Sequence, residues 1–197
     1  MWIYVLPVLG YLMGSISSAV VIARMMGLKD PRTEGSGNPG ATNILRYGGR
    51  KAAVLTLVGD VLKGVVPVLI ARALTQDPVI LAAVVVAAFL GHLYPVFFGF
   101  KGGKGVATAF GVFAALNPWL GLAMAVSWLI VAAAFRYSSL AALTTAALVP
   151  VYVWWLQPGT AYLLMALVVV ALLFWRHRDN IRRLLAGTES KISLGSR

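Results

Sequence analysis

The 197-residue sequence has no cysteine, only two histidines and only six acidic residues. Without cysteine the chain can form no disulfide, no zinc–thiolate site and no cysteine nucleophile. The six carboxylates are spread too thinly for a paired-carboxylate site or a two-metal site. Charged residues make up 12% of the chain, whereas a soluble globular domain has about 25%. A soluble enzyme is therefore excluded.

Much of the chain consists of long apolar runs, which is why charged residues are few. Hydrophobic residues make up 60% of the chain, and the mean hydropathy is +0.85. Several runs approach the roughly 20 residues that a helix needs to cross a bilayer. The sequence predicts an all-α polytopic membrane protein whose residues 1–197 form a single integral-membrane domain. The predicted spans are 2–23, 52–71, 79–98, 106–116, 119–135, 140–156 and 160–175.

The fourth predicted span is short, because its residues reach about 17 Å across a hydrocarbon core of roughly 30 Å. It either crosses by leaning and drawing on flanking residues, or re-enters without crossing. If it crosses, Arg72 is the only basic residue in the outer connections. If it re-enters, Arg136 and the basic tail move outside, against the positive-inside rule. We therefore predict seven transmembrane helices with the N-terminus outside and the C-terminus in the cytoplasm.

The net charge of +11 is explained if the protein binds anions, and residues 35–46 of the first inner connection are a candidate anion site. Glycine lets backbone amides close around an anion, and the following helix start adds its positive dipole end. The spacing of the glycines fits the dinucleotide-binding fingerprint, but no strand precedes them, so this motif is excluded. The Walker motif is also excluded, because Ala41 stands where that motif needs lysine. A phosphate cradle is predicted, with a flexible loop as the alternative. Its candidate residues are Ser36, Gly37, Asn38, Gly40, Thr42, Asn43 and Arg46.

The second inner connection sets two lysines among glycines directly before the short fourth span. Lysines at a cytoplasmic helix end can be orientation signals alone. The glycines favour an anion site instead, because they permit close backbone approach to a recessed helix N-terminus. The candidate residues are Lys101, Gly102, Gly103, Lys104, Gly105 and Thr108.

Five further polar residues lie in or beside predicted spans. Asp60 and Lys63 share one face of the second span, which predicts that they line a cavity; a structural ion pair is the alternative. His177 and Asn180 are one helical turn apart at the start of the basic tail. They are candidate site residues, with a solvated interfacial histidine as the alternative. His92 is expected to be packed and hydrogen-bonded instead of catalytic.

The four inner connections together predict one cationic pocket on the cytoplasmic face. Ser139 contributes from the connection after the fifth span, although an N-cap would also explain a serine there. Such a pocket suits two phosphorylated molecules or one polyanion. A short amphipathic helix is predicted over 178–185.

Several strings of the sequence, in order and over nearly the whole chain, resemble one known family. They are SGNPGATN with Arg46, GHLYP followed by FKGGKGVAT, and HRDNI with GTE near the C-terminus. The resemblance is to the bacterial acyl-phosphate:glycerol-3-phosphate acyltransferases (PlsY). Ala142 is a minor departure, since some relatives carry a serine there, so the contact is assigned to Ser139.

The resemblance implies a seven-helix inner-membrane enzyme that transfers a fatty acyl group from acyl phosphate to the 1-hydroxyl of glycerol 3-phosphate. Its products are lysophosphatidate and phosphate, and it needs neither a metal nor a cofactor. The expected partners are the two substrates, membrane lipid and the soluble enzyme that makes acyl phosphate; nucleic acid is not among them. The His-x-x-x-x-Asp acyltransferases are excluded, because Phe97 and Arg182 stand where the aspartate would be.

A division of roles follows from this reaction. We expect Arg46, Lys104, His177 and Asn180 to hold glycerol phosphate. Ser36, Asn38, Thr42 and the glycine amides are expected to surround acyl phosphate. His177 is taken as the only imidazole near the site, so either it or an oxygen of the donor phosphate accepts the proton. The alternative function is a transporter or channel for a phosphorylated anion, which would show an inverted repeat and mid-membrane charges; no repeat is apparent.

Overall fold

The computed structural model describes residues 2–192, with only the backbone of Trp2, and this part of the chain is helical without strands. Ten α-helices follow a short 3₁₀ helix at Trp2–Val5, and a second 3₁₀ helix spans Val96–Phe98. The α-helices are α1 Leu6–Gly14, α2 Ser18–Met25, α3 Ala41–Tyr47, α4 Gly49–Leu74, α5 Pro78–Leu93, α6 Val106–Leu116, α7 Pro118–Phe135, α8 Ser138–Leu156, α9 Thr160–Arg176 and α10 Arg178–Leu185.

The prediction of an all-α polytopic membrane protein is confirmed. Among the described residues, four helices are long and apolar enough to cross a membrane, or six if each of two bent pairs is one span. The bent pairs are α1 with α2, at 41°, and α9 with α10, at 59°. Helix α6 is a shorter apolar helix. The count of seven crossings and the orientation of the termini stay predictions.

The first predicted span is not one continuous helix, which corrects the interpretation of 2–23. The chain leaves helical geometry between Gly14 and Ser18. The break frees the carbonyl oxygen of Ile16, which accepts a hydrogen bond of 2.8 Å from Lys63 Nζ. A freed backbone carbonyl inside a membrane needs such a partner.

Helix pairs pack closely where one of them carries glycine. A methyl group at Gly14 would lie 2.1 Å from the carbonyl oxygen of Ala88, so α1 and α5 approach backbone to backbone. A methyl group at Gly111 would lie 2.2 Å from the carbonyl oxygen of Val61, so α6 approaches α4 in the same way. Small residues at helix crossings are the usual device for packing in lipid. These contacts fix the helices from which the polar loops extend.

Helix α7 has the least buried surface of the long helices. Only Leu120 and Met124 of its residues are buried, so most of its apolar side chains face away from the bundle. This is expected of a helix whose outer face contacts lipid. The larger hydrophobic core lies instead among α5, α6, α8 and α9.

Candidate active site

The two glycine-rich loops, residues 35–40 and 101–105, meet at Gly103. A methyl group at Gly103 would lie 3.2 Å from the carbonyl oxygen of Pro39 and 2.4 Å from Nε2 of His92. Arg32 also joins the two connections, because its Nη1 donates to the carbonyl oxygen of Phe98 at 3.1 Å. The structure therefore brings the first two inner connections together, as the sequence predicts.

Asn43 holds the first glycine-rich loop and the residues just before it through three hydrogen bonds to the backbone. Its Nδ2 donates to the carbonyl oxygens of Pro31 (3.0 Å) and Glu34 (2.9 Å), and its Oδ1 accepts from the amide of Ser36 (2.9 Å). The side chain is buried and both ends are occupied. The polar atoms of Asn43 hold the loop, and its predicted contact with substrate stays a prediction.

The other candidates of the first connection remain accessible. Ser36, Gly37, Thr42 and Arg46 are exposed, while Asn38 and Gly40 are partly buried. Gly37 has a positive φ of 68°, a backbone conformation for which glycine is the default residue. No hydrogen bond within residues 2–192 joins the side chain of Arg46 to the second loop or to α10. Its proposed role with the phosphate stays a prediction.

The side chains from the second loop, α8 and the C-terminal segment meet around Glu189. Lys104 Nζ donates to Oδ1 of Asn180, and Nδ2 of Asn180 donates to Oε1 of Glu189 at 2.6 Å. Ser139 Oγ donates to the same carboxylate oxygen at 2.6 Å, and Arg183 Nε donates to Oε2 at 2.6 Å. We call these five residues the Glu189 network. It gathers Lys104, Asn180 and Ser139, which the sequence placed in one pocket.

The network sets the charge states of its two central ionisable groups. Burial lowers the pKa of Lys104 to about 8, and the nearby Arg183 guanidinium adds to the shift. Burial alone would raise the pKa of Glu189, but the hydrogen bonds from Ser139, Asn180 and Arg183 outweigh it and leave that pKa below its ordinary value. At neutral pH the network therefore contains one ionised carboxylate, Glu189, and two cations, Lys104 and Arg183.

Ser139 lies in the network, and the alternative of an N-cap is wrong: Tyr137 occupies the cap position of α8 without a side-chain hydrogen bond, and the Ser139 hydroxyl binds Glu189. Glu189 itself was missed as a site residue. The signal that could have found it was the GTE string at 187–189, which formed part of the family resemblance.

His177 lies just beyond α9 and is almost fully buried. Its Nδ1 lies 2.8 Å from the carbonyl oxygen of Leu173, which can only accept, so Nδ1 carries a proton. Burial lowers the pKa of His177 to about 4. The ring is therefore neutral at pH 7, with a lone pair on Nε2.

Arg176 is a second residue that sequence reasoning missed. Its Nη2 donates to the carbonyl oxygen of Gly102 at 2.8 Å, and its Nε donates to that of Gly103 at 3.0 Å. The guanidinium thus ties the end of α9 to the second glycine-rich loop. Its place in the cationic tail was visible in the sequence, but its partners are backbone atoms that no sequence pattern marks.

The glycines of the second loop are buried against α5, whereas Lys101 is exposed. A methyl group at Gly102 would lie 2.1 Å from the carbonyl oxygen of His92. One at Gly105, whose φ is +86°, would lie 2.3 Å from the ring of Phe89. The close backbone approach predicted for these residues is therefore observed, but toward the protein's own α5. Contact with substrate through their amides stays a prediction.

Asp60, Lys63 and Thr108 are buried and lie against one another. Lys63 Nζ lies 2.9 Å from Asp60 Oδ1, and Thr108 Oγ1 donates to the carbonyl oxygen of Asp60 at 3.0 Å. The pair joins α4 to the broken first span, as the alternative of a structural ion pair predicts, and Thr108 joins α6 to α4. A role of these three residues toward substrate stays a prediction.

His92 corrects the expectation that His177 is the only imidazole near the site. Its ring is buried and its Nε2 faces Gly103, in the loop that carries Lys104. The predicted packing is observed, but the predicted hydrogen bond is not, because Nδ1 has no hydrogen-bond partner among the described residues.

Comparison with known proteins identifies the family. The family model described as glycerol-3-phosphate acyltransferase matches residues 4–187. The chain belongs to this family. A glycerol-3-phosphate acyltransferase of Thioalkalivibrio sulfidiphilus is 59% identical over 182 residues, which cover 92% of this chain and 90% of that protein. One of Halorhodospira halophila is 54% identical over 188 residues, 95% of each chain.

Two solved structures share the fold of this family member. Both are crystal structures of PlsY, an integral membrane glycerol 3-phosphate acyltransferase. The glycerol 3-phosphate form has a TM-score of 0.93 and 43% identity, and the lysophosphatidic acid form has 0.91 and 42%. Each comparison covers 98% of this chain and 96% of the other. The present protein is therefore an acyltransferase of the glycerol-3-phosphate acyltransferase family with a multi-pass membrane fold.

Proposed function

We propose that this acyltransferase transfers a fatty acyl group from acyl phosphate to the 1-hydroxyl of sn-glycerol 3-phosphate, giving lysophosphatidate and phosphate. The site would face the cytoplasm from a bacterial inner membrane. The observation that carries the proposal is the meeting of Lys104, Asn180 and the buried His177 segment beside two glycine-rich loops. Relatives crystallised in glycerol 3-phosphate and lysophosphatidic acid forms support the acceptor and the product.

An acyl phosphate donor suits the kind of groups this site contains. Such a donor is a mixed anhydride whose leaving group is phosphate, so the carbonyl carbon is already activated. The acceptor hydroxyl attacks that carbon, the bond from the carbonyl carbon to the phosphate oxygen breaks, and the hydroxyl proton must be accepted. Positioning of the substrates and stabilisation of charge then account for most of the rate acceleration, and no covalent enzyme intermediate is needed.

Lys104 is the cation that we assign to the glycerol phosphate. It is partly exposed, whereas the Nε of Arg183 is engaged by Glu189 and Arg176 is engaged by backbone carbonyls. Asn180 orients the Lys104 ammonium through its Oδ1. Arg46 would complete the phosphate site from the first connection, and Ser36, Asn38 and Thr42 would surround the donor phosphate.

The state of His177 leaves two roles open to its ring, proton acceptor and phosphate ligand. A neutral ring with a free Nε2 lone pair can accept a proton or a hydrogen bond, and a bound phosphate dianion would favour protonation of that nitrogen. We assign His177 to the glycerol phosphate and the proton to an oxygen of the donor phosphate. The His177 ring then binds glycerol 3-phosphate, and an oxygen of the acyl phosphate acts as the base.

We place the fatty chain among the apolar side chains between α6, α8 and α9, where the cavity is only about 10 Å³, so these side chains must move apart to admit it. The lining of this cavity begins at Leu173, whose carbonyl oxygen binds His177, and continues along the residues Phe113, Val149 and Val169. A chain lying there would extend from the polar site into the hydrocarbon region of the bilayer. The donor carbonyl would then sit near the level of His177.

The experiment that tests the proposed function compares donors. Purified protein in detergent is given glycerol 3-phosphate with palmitoyl phosphate, palmitoyl-CoA or palmitoyl acyl carrier protein, and lysophosphatidate is measured. We expect product from palmitoyl phosphate alone. Comparable rates from palmitoyl-CoA or acyl carrier protein would refute the donor assignment, and no product from any donor would refute the proposed reaction.

A further inference from the structure

A chain of buried polar groups runs from the broken first span to the second glycine-rich loop. Lys63 Nζ donates to the carbonyl oxygen of Ile16 at 2.8 Å and lies 2.9 Å from Oδ1 of Asp60. Nδ1 of His92 lies 3.7 Å from the same carboxylate oxygen. Asp60, Lys63 and His92 are 3%, 7% and 5% exposed. Burying three such groups in an apolar bundle is costly, and the reaction as proposed uses none of them directly.

The geometry orients the His92 ring. A carboxylate oxygen can only accept, so the proton on a neutral His92 belongs on Nδ1, which faces Asp60. A separation of 3.7 Å is too long for a hydrogen bond, and the attraction is that of an N–H dipole toward a buried negative charge. Nε2 then points the other way, toward Gly103.

His92 contacts Gly103 through its backbone as well as its ring. The amide of Gly103 donates to the carbonyl oxygen of His92 at 3.2 Å. A methyl group at Gly103 would lie only 2.4 Å from Nε2 and 3.0 Å from Cε1 of the ring. Arg176 also binds the carbonyl oxygens of Gly102 and Gly103. The backbone that precedes Lys104 is therefore held by both His92 and Arg176.

We propose that His92, oriented by Asp60, is a positioning residue that fixes the backbone from which Lys104 reaches the substrate phosphate. This inference rests on the proposed function, because it assigns Lys104 to that phosphate. His92 acts through the loop and not on the reacting atoms. A displacement of about 1 Å at a substrate-binding group can lower the rate about 100-fold.

The test is a double-mutant cycle between His92 and Lys104. His92→Phe keeps an aromatic ring but removes both nitrogens, and we expect the KM for glycerol 3-phosphate to rise at least tenfold per folded enzyme. In a Lys104→Ala background the same change should alter KM less than twofold, because the group it positions is gone. Thr56→Val is the matched control, since Thr56 is equally buried on α4, one turn from Asp60. It should leave KM within twofold of wild type.

A second pair of variants probes the contact from the loop side and does not depend on the folding of His92→Phe. Gly103→Ala places a methyl group against the ring and should raise KM at least tenfold. Adding His92→Asn, which keeps an amide toward Asp60 but removes the atoms facing Gly103, should recover at least a third of that loss. Rescue of this kind is not expected if His92 serves only to stabilise the bundle.

Three results, each with an active wild type, would overturn the inference while leaving the proposed function intact. The first is an unchanged KM in folded His92→Phe. The second is a KM increase that is the same with and without Lys104, and the third is a Gly103→Ala loss that His92→Asn does not relieve. Wild-type protein that makes no lysophosphatidate from any donor would refute the proposed function itself, and the inference with it.

Discussion

The charge state of individual side chains decides what this site can bind. Lys104 and His177 are both buried enough to disfavour their charged forms, but with different outcomes at neutral pH. Lys104, with a pKa of about 8, remains mostly charged, whereas His177, with a pKa of about 4, is neutral. The site therefore presents one cation, Lys104, that can hold phosphate directly, and one neutral ring, His177, whose Nε2 can donate to phosphate only when it is protonated.

The lowered pKa of Lys104 predicts a pH dependence. The ammonium is charged below pH 8 and loses its charge as pH rises through that value, so kcat/KM for glycerol 3-phosphate should fall on the alkaline side of about pH 8. Lys104→Arg keeps its charge and should lack that limb, whatever its absolute rate. A steady-state pH profile checks this. The same alkaline limb in Lys104→Arg would assign the titration to another group.

His177→Asn separates the two roles open to that ring. In the ligand role the bound phosphate dianion keeps Nε2 protonated as a donor, and asparagine replaces that donor with an uncharged one, so this role predicts a higher KM for glycerol 3-phosphate with measurable kcat. A general base would instead lose kcat by about 10³ with little change in KM, near the usual range for that role. Initial rates over a range of glycerol 3-phosphate concentrations distinguish the two.

Sequence reasoning identified residues of the right chemistry more readily than their partners. Lys104, Asn180 and Ser139 were predicted as site residues from their type and position, and in the structure they belong to one hydrogen-bonded network. Asn43 and Thr108 carry equally suitable side chains, yet their hydrogen bonds go to backbone carbonyls. Residue type alone does not show whether a polar atom is already satisfied within the protein.

At the scale of elements, apolar runs predicted the helices well and the breaks poorly. The predicted helices over 106–116 and 178–185 are α6 and α10. The break after Gly14 was not visible, because its stability depends on Lys63 from another helix. Helix α3 was missed as well, since seven residues are too few for periodicity to mark. Long-range partners, and not local pattern, decide both features.

Glu189 ties three elements together, which predicts a stability effect. Glu189→Gln loses the charge that binds Arg183 and should destabilise the protein by about 1–3 kcal/mol. Because the folded-state pKa of Glu189 is lowered, its contribution is present above its ordinary value of 4.5 and is lost as pH falls through the folded-state value. Thermal unfolding in detergent at pH 7 measures the difference.

The control for this prediction is Glu34→Gln. Glu34 pairs with Lys29, whose side chain is 78% exposed, and exposed pairs contribute about 0–1 kcal/mol. Equal melting temperatures for wild type and Glu189→Gln, with or without a change in the control, would show that the network adds nothing to stability.

At the scale of the whole molecule, the distribution of basic residues predicts which face carries the site. Because the chain has no cysteine, single cysteines can be labelled without background. Lys101→Cys and Arg182→Cys should react with a membrane-impermeant thiol reagent only in inverted vesicles, and Gln157→Cys only in right-side-out vesicles. If Lys101→Cys and Arg182→Cys label from opposite sides, the seven-crossing topology is wrong.

The central claim is that the cluster around Lys104 is the site of acyl transfer to glycerol 3-phosphate. The most direct measurement is the rate of lysophosphatidate formation from palmitoyl phosphate by Lys104→Ala and by Lys51→Ala, which removes an exposed lysine from the start of α4. A buried charge-assisted contact contributes about 1.5–3 kcal/mol or more, so Lys104→Ala should lose about tenfold to a thousandfold in kcat/KM while Lys51→Ala stays near wild type. Folded Lys104→Ala with near-normal turnover would contradict the account.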